Sequence, residues 1–167
     1  MTTFSVDQNN RPIVLFFSVK SKFSNFFPCI FTDGSGQQYN CSEQFYMRRK
    51  ALFFGDFVNA EQIMNSKTGR DQKRISKGVV GFKQSEWDSE SFNAMREGLL
   101  LKFGQNPGLR DALLDTGSAT MVEASPFDRR WGIGFDATHP HSRDTTKWGE
   151  NRLGKLLMEV RSILREV

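Results

Sequence analysis

Tyr39-Asn40-Cys41-Ser42-Glu43-Gln44-Phe45-Tyr46-Met47-Arg48-Arg49-Lys50-Ala51-Leu52 is the stretch on which the fold turns. Its residue types and spacing predict a helix. Asn40 with Glu43 three residues later makes a capping-box pattern, and Ser42 offers a second N-cap. Phe45 and Leu52 share one face while Met47 and Ala51 share another, so the helix is apolar on two sides and central. Glu43 and Lys50 are seven residues apart, which aligns them two turns from each other, about 10 Å along the axis. A carboxylate and an ammonium on a mostly buried helix are costly unless they pair or serve a site. Two readings stand: Glu43 caps the helix and Lys50 snorkels to water, or both belong to an active site.

Upstream, Met1 to Arg11 reads as polar and loose, and Ile13-Val14-Leu15-Phe16-Phe17 as a buried strand. Ser24 and Asn25 are small polar residues set among Phe23, Phe26 and Phe27; they either make a turn or present hydrogen-bonding groups at an aromatic rim. Cys29 to Thr32 and Gln37 to Tyr39 predict a hairpin around Asp33-Gly34-Ser35-Gly36. The strands look antiparallel, with no βαβ rhythm.

Downstream, Asp56 to Asn65 predicts a helix, with Phe57, Ala60 and Met64 at helical spacing. Lys67 to Lys83 is the most basic part, and Arg70 within it suits oxyanion binding by its planar fork. Ser85-Glu86-Trp87-Asp88 opens the longest helix with another capping box, and Phe92, Met95, Leu99 and Phe103 form its stripe. Trp87, in the first turn, is either an edge-of-core residue or a flat surface for a planar ring. Pro107 to Asp115 is a short helix closed by Gly117, and Thr120 to Ala124 a short strand. That strand feeds Ser125-Pro126-Phe127-Asp128-Arg129-Arg130-Trp131-Gly132-Ile133-Gly134, a loop rich in site-forming side chains. Asp128 is a turn residue or an acid of the site. His139 and His141 lie in a polar loop and make a weak metal signal without a third ligand. Asn151 is placed to cap a final helix buried through Leu153, Leu156, Leu157, Val160 and Leu164. Gly154, one turn in, implies close packing against another backbone.

With 167 residues the chain is sized for one domain, 1–167, with its core at about 13–165. Lys and Arg exceed Asp and Glu by four, a balance that suits a phosphate-bearing ligand. Two cysteines give neither metal spacing nor a disulfide framework, which points to a reducing, cytoplasmic setting. The longest apolar run is too short to span a membrane, and no signal peptide is evident.

Phe23-Ser24-Asn25-Phe26, Ser42-Glu43-Gln44 with Lys50, Gly69-Arg70, Trp87, Val122-Glu123-Ala124-Ser125, Asp128 with Trp131-Gly132, and Gly149-x-Asn151-x-Leu153-Gly154 occur in the order seen in one family. In these motifs the chain resembles the NADAR (YbiA-like) family over roughly residues 13 to 165. The resemblance implies a compact α+β domain, mostly helical with a small antiparallel sheet. It also implies an N-glycosidase without cofactor, acting on the C1′–N bond between a ribosyl phosphate or ADP-ribosyl group and a base. Members act on phosphoribosylamino-pyrimidine intermediates of riboflavin synthesis or remove ADP-ribose from guanine in nucleic acid, so ADP-ribosylated nucleic acid is an expected partner. A monomer with no membrane partner is expected. Glu43, Trp87 and Asp128 fall on the family's functional positions.

The residue types suit that chemistry. Breaking a ribosyl C–N bond builds positive charge on the sugar, which a carboxylate can stabilise while activating water. Lys50 offers a second route, attack on C1′ and a Schiff base with the opened sugar. The expected catalytic set is therefore Glu43, Lys50 and Asp128. Ser24, Asn25, Arg70, Trp87, Trp131, Gly132 and Asn151 are expected to bind substrate. The competing class is a module that binds ADP-ribose without turning it over, and product release discriminates the two.

Overall fold

The computed structural model describes residues 1–167. In chain order the elements are β1 (Thr2–Val6), β2 (Pro12–Phe16), β3 (Phe31–Thr32), β4 (Gln38–Tyr39), α1 (Ser42–Phe53), α2 (Phe57–Met64), α3 (Gly69–Ser76), α4 (Gln84–Gln105), α5 (Pro107–Leu114), β5 (Thr120–Glu123), a short 3-10 helix (Pro140–Arg143) and α6 (Arg152–Arg165). The class is α+β, mostly helical with small sheets. No helix is long and apolar enough to cross a membrane. The elements pack as two units, one made of Met1–Ser24 with Gly108–Val167 and the other of Asn25–Pro107.

The first unit is built on a three-stranded sheet in the order β1-β2-β5. Its central strand is the apolar run expected to be buried: Ile13, Val14, Leu15 and Phe16 are all buried. The N-terminal residues are not loose, because Thr2–Val6 pairs antiparallel with β2 from Thr2↔Phe16 to Val6↔Pro12. Their polar character marks an exposed edge strand instead; Phe4 on it is largely open to water. The sheet is also not wholly antiparallel. Strand β2 runs parallel to β5, from Ile13↔Thr120 to Phe16↔Glu123, a pairing between distant segments that local patterning cannot reveal. Ile13, Leu15, Val122, Ala124 and Ile133 form a core cluster. Helix α6 lies along β5, burying the five apolar residues expected. Gly154 permits that approach, since a Cβ there would collide with the Met121 carbonyl oxygen.

The second unit starts with the expected hairpin, Phe31↔Tyr39 and Thr32↔Gln38. Asp33 folds the turn by accepting from the N–H groups of Ser35 (2.9 Å) and Gln37 (3.0 Å). Helix α1 is central here, packed against α2, α3 and α4. Phe31, Tyr39 and Phe45 form an aromatic cluster, with Phe31 and Tyr39 stacked at 5.5 Å. Gly98 of α4 admits Phe45, whose ring would lie 2.7 Å from an added Cβ. On α2, Ala60 and Ile63 are buried, whereas Phe57 is exposed rather than part of the apolar face. The capping box expected at Ser85 is absent; α4 starts at Gln84 after Lys83, with no side-chain cap.

Candidate functional site

Helix α1 begins at Ser42 after Cys41 in extended conformation, and no side chain caps it. The capping-box reading of Asn40 and Glu43 is therefore wrong. Asn40 turns elsewhere, donating to the Ser66 carbonyl at 3.1 Å and accepting from Gln72 at 2.9 Å. Backbone from Asn25 replaces the cap: its carbonyl accepts from the Glu43 N–H at 3.0 Å. The Ser42 hydroxyl reaches the Asn25 side-chain oxygen at 3.0 Å. Asn25, Ser42 and Glu43 are thus brought together, and Gln44 anchors them by donating to the Ile63 and Met64 carbonyls at 3.2 and 3.3 Å. Ser24, the last residue of the first unit, is buried.

Glu43, in the first turn of α1, is only 5% exposed. Two turns on, Lys50 is half-buried. Burial lowers its pKa below the ordinary lysine value, and the charge of Glu43 opposes that fall. Burial, not the neighbouring Arg48 and Arg49, is what makes the amine easier to deprotonate. Arg49 is engaged with Glu97 at 2.5 Å, and Arg48 donates to the Tyr39 hydroxyl at 2.7 Å. The Lys50 ammonium lies 4.3 Å from the centre of the Phe82 ring. No spacing in the sequence marks Phe82, whose neighbourhood stands out for charge rather than rings.

Trp87 is 2% exposed. Its indole N–H donates to the Tyr46 hydroxyl at 3.0 Å, and its ring packs edge-on against Phe53 at 5.6 Å. This is the edge-of-core alternative, with no open face for a ligand. Arg70 is exposed on the first turn of α3, a helix that Thr68 caps by accepting from the Asp71 N–H at 3.2 Å. A lysine that no spacing argument marks, Lys102, is wholly buried, and desolvation brings its pKa down to about 8.

In the first unit, the loop after β5 holds Asp128, Trp131 and Gly132. Asp128 accepts from the N–H groups of Arg130 (2.8 Å) and Trp131 (2.9 Å), so one carboxylate oxygen organises the turn. Gly132 is required sterically, because a Cβ would lie 2.8 Å from the Glu123 carbonyl and 2.9 Å from that of Asp128. The start of α6 grips the loop: the N–H groups of Arg152 and Leu153 donate to the carbonyls of Arg130 and Trp131 at 3.2 and 3.1 Å. Trp131 is half-buried, with the Arg152 guanidinium 6.0 Å from its ring centre. Asn151 precedes α6 in left-handed conformation (φ 50°), and its side chain does not cap the helix. Its carboxamide instead clamps β5, accepting from the Glu123 N–H at 3.0 Å and donating to the Met121 carbonyl at 2.8 Å. His139 and His141 are exposed, and no three metal-binding side chains are gathered for an ion.

Comparison with known proteins matches residues 15–165 to the NADAR domain. An N-glycosidase of Acanthamoeba polyphaga mimivirus is 41% identical over 144 residues, covering 83% of this chain and 85% of that protein. A riboflavin biosynthesis protein of Vibrio vulnificus is 32% identical over 143 residues, 86% of this chain but 35% of that longer protein. The solution structure of Escherichia coli YbiA superposes with a TM-score of 0.75 at 30% identity, over 92% of this chain and 85% of that one. With the family model spanning both units and these relatives matching most of its length, the chain belongs to the NADAR domain family.

Proposed function

We propose that this chain is an N-glycosyl hydrolase whose substrate joins a ribosyl phosphate or ADP-ribosyl group to a nitrogenous base through a C1′–N bond. The favoured substrates are guanine carrying ADP-ribose, free or in nucleic acid, and the ribosylamino-pyrimidine phosphates of riboflavin synthesis. The observation that carries the reading is Glu43 with Lys50 on α1: a buried carboxylate two turns from an amine whose pKa burial lowers. Family membership and the N-glycosidase name of the mimiviral relative support the reaction class. The Vibrio relative's name supports the riboflavin substrates. The free thiols of Cys29 and Cys41 agree with a cytoplasmic enzyme.

Departure of the base leaves positive charge at C1′. Glu43 stabilises that charge and directs water onto the carbon. In the covalent variant the Lys50 lone pair bonds to C1′ while the C1′–N electrons leave with the base, which takes up a proton. The sugar then opens to a Schiff base, and water releases it from the amine. Both routes consume only water, so no cofactor enters the balance. Asp128 is the second carboxylate of this reading. Ser24, Asn25, Arg70, Trp131, Gly132 and Asn151 serve binding, while the burial of Trp87 supports a packing role.

The test is a product screen with two substrates, a guanine-ADP-ribosylated oligonucleotide and a ribosylamino-pyrimidine phosphate, reading released sugar phosphate and base. Release from either supports the hydrolase. Tight binding of ADP-ribose without release from any substrate identifies a binding module instead. Borohydride added during turnover leaves a sugar adduct on Lys50 if the covalent route operates, and none if water attacks directly.

A further inference from the structure

The aromatic rings beside Lys50 form a connected series. Phe82 meets Phe54 edge-on at 5.3 Å, Phe54 meets Phe53 at 5.0 Å, and Phe53 meets Trp87 at 5.6 Å. Trp87 in turn tilts against Tyr46 at 5.4 Å and is tied to it by a hydrogen bond. Trp87, at one end, is 2% exposed, whereas Phe82, at the other, is 37% exposed and Phe53 between them 42%. The Trp87 end is fixed by packing, and Phe82 is held against Phe54 by its edge-on contact. Phe82 reaches its place from a loop turned by Gly81 at φ +78°.

At its end of the series the Phe82 face carries the Lys50 ammonium at 4.3 Å. A ring face attracts a cation through its negative quadrupole. A lysine stem is flexible, and an amine that must meet one carbon atom works only in a few of its rotamers. We propose that Phe82 is a positioning residue for Lys50, holding its amine on the ring face at the end of the series anchored by Trp87. The inference rests on the reading of Lys50 as an active-site residue.

Phe82→Leu, Phe82→Tyr and Lys50→Ala are compared in the full chain, with whichever of the two screened substrates is cleaved. Leucine keeps the apolar contact and loses the ring face, whereas tyrosine keeps both. For Phe82→Leu, kcat falls roughly two- to fivefold with KM and Tm unchanged, the size of a partly exposed cation–ring contact. Trace acetylation with acetic anhydride, read by mass spectrometry, rises at Lys50 by a similar factor relative to the exposed Lys77. Phe82→Tyr restores both. Wild-type kcat and labelling in Phe82→Leu refute the positioning role, as does an equal loss in Phe82→Tyr. Full turnover by Lys50→Ala instead overturns the reading of Lys50, and the role of Phe82 falls with it.

Discussion

Replacing Lys102 by methionine removes an amine from the interior of the second unit while keeping its volume nearly constant. Lys102 is fully buried on α4, its ammonium 4.9 Å from the Phe103 ring centre and 5.9 Å from that of Phe27. Desolvation lowers its pKa from 10.5 to about 8, against the opposing influence of Cys29 and Cys41. A lowered lysine pKa means that the folded state disfavours the charged amine. Below pH 8 the amine is charged in both states and the fold bears the whole penalty, roughly 3 kcal/mol at about 1.4 kcal/mol per pH unit. Between pH 8 and 10.5 the unfolded chain holds the proton that the folded chain has released, so stability rises with pH. Methionine carries no such penalty, and a volume-conserving apolar swap costs little, under about 1.5 kcal/mol. Lys102→Met is therefore more stable than the parent at pH 7 by about 1–3 kcal/mol. The advantage shrinks as pH approaches 10.5. Urea unfolding of both proteins at several pH values measures it, and the difference removes contributions common to the two. A difference independent of pH, or a variant less stable at neutral pH, refutes the reasoning.

Glu43→Gln keeps the fold, being close to isosteric, and lowers kcat by about a hundredfold or more. Surviving turnover with an unchanged Tm would remove Glu43 from the chemistry. Trp87→Ala costs about 3–5 kcal/mol of stability in urea unfolding, as for other buried tryptophans. Trp131→Ala weakens ligand binding by about 1–3 kcal/mol in calorimetry while leaving the fold intact; the opposite pattern would exchange the two roles. Asn151→Ala loses both bonds to β5 and lowers stability by about 2 kcal/mol. A loss of affinity without loss of stability would make Asn151 a substrate contact rather than a clamp.

Much of this was legible in the chain because the signals were local and apolar. The run Ile13 to Phe16 and the stripe from Leu153 to Leu164 are buried as their pattern says, and the turn forms at Asp33 to Gly36, whereas Phe17 lies past the end of β2 and is exposed. Helix α3 has no such stripe. Its buried side is Gly69, Gln72 and Ser76, and Gln72 is held by hydrogen bonds to Asn40 and Ser66. Polar burial of this kind leaves no hydrophobic period to read. The caps failed for a related reason: the first turn of α1 is satisfied by the backbone of Asn25, distant in sequence, so a cap-like pattern at Asn40 was free to serve another purpose. Glu43 and Lys50 were readable because one helix carries both. Phe82 and Lys102 were not, since one owes its place to a ring contact and the other is a charge where charge is unexpected.

The parallel pairing of β2 with β5 also sets a schedule for synthesis. Strand β1 emerges from the ribosome just before β2 and can fold back on it at once, covering one edge through a short turn. The other edge of β2 must wait until Thr120–Glu123 has been made, after the whole of Asn25–Pro107. Through that interval Val14 and Leu15 lie beside a row of unpaired backbone groups, the arrangement that recruits foreign strands. Nascent chains stalled between Pro107 and Thr120 are thus the species most prone to aggregate. Asn25–Pro107 is a continuous segment, yet its completion leaves that edge of β2 open, because β5 lies beyond it.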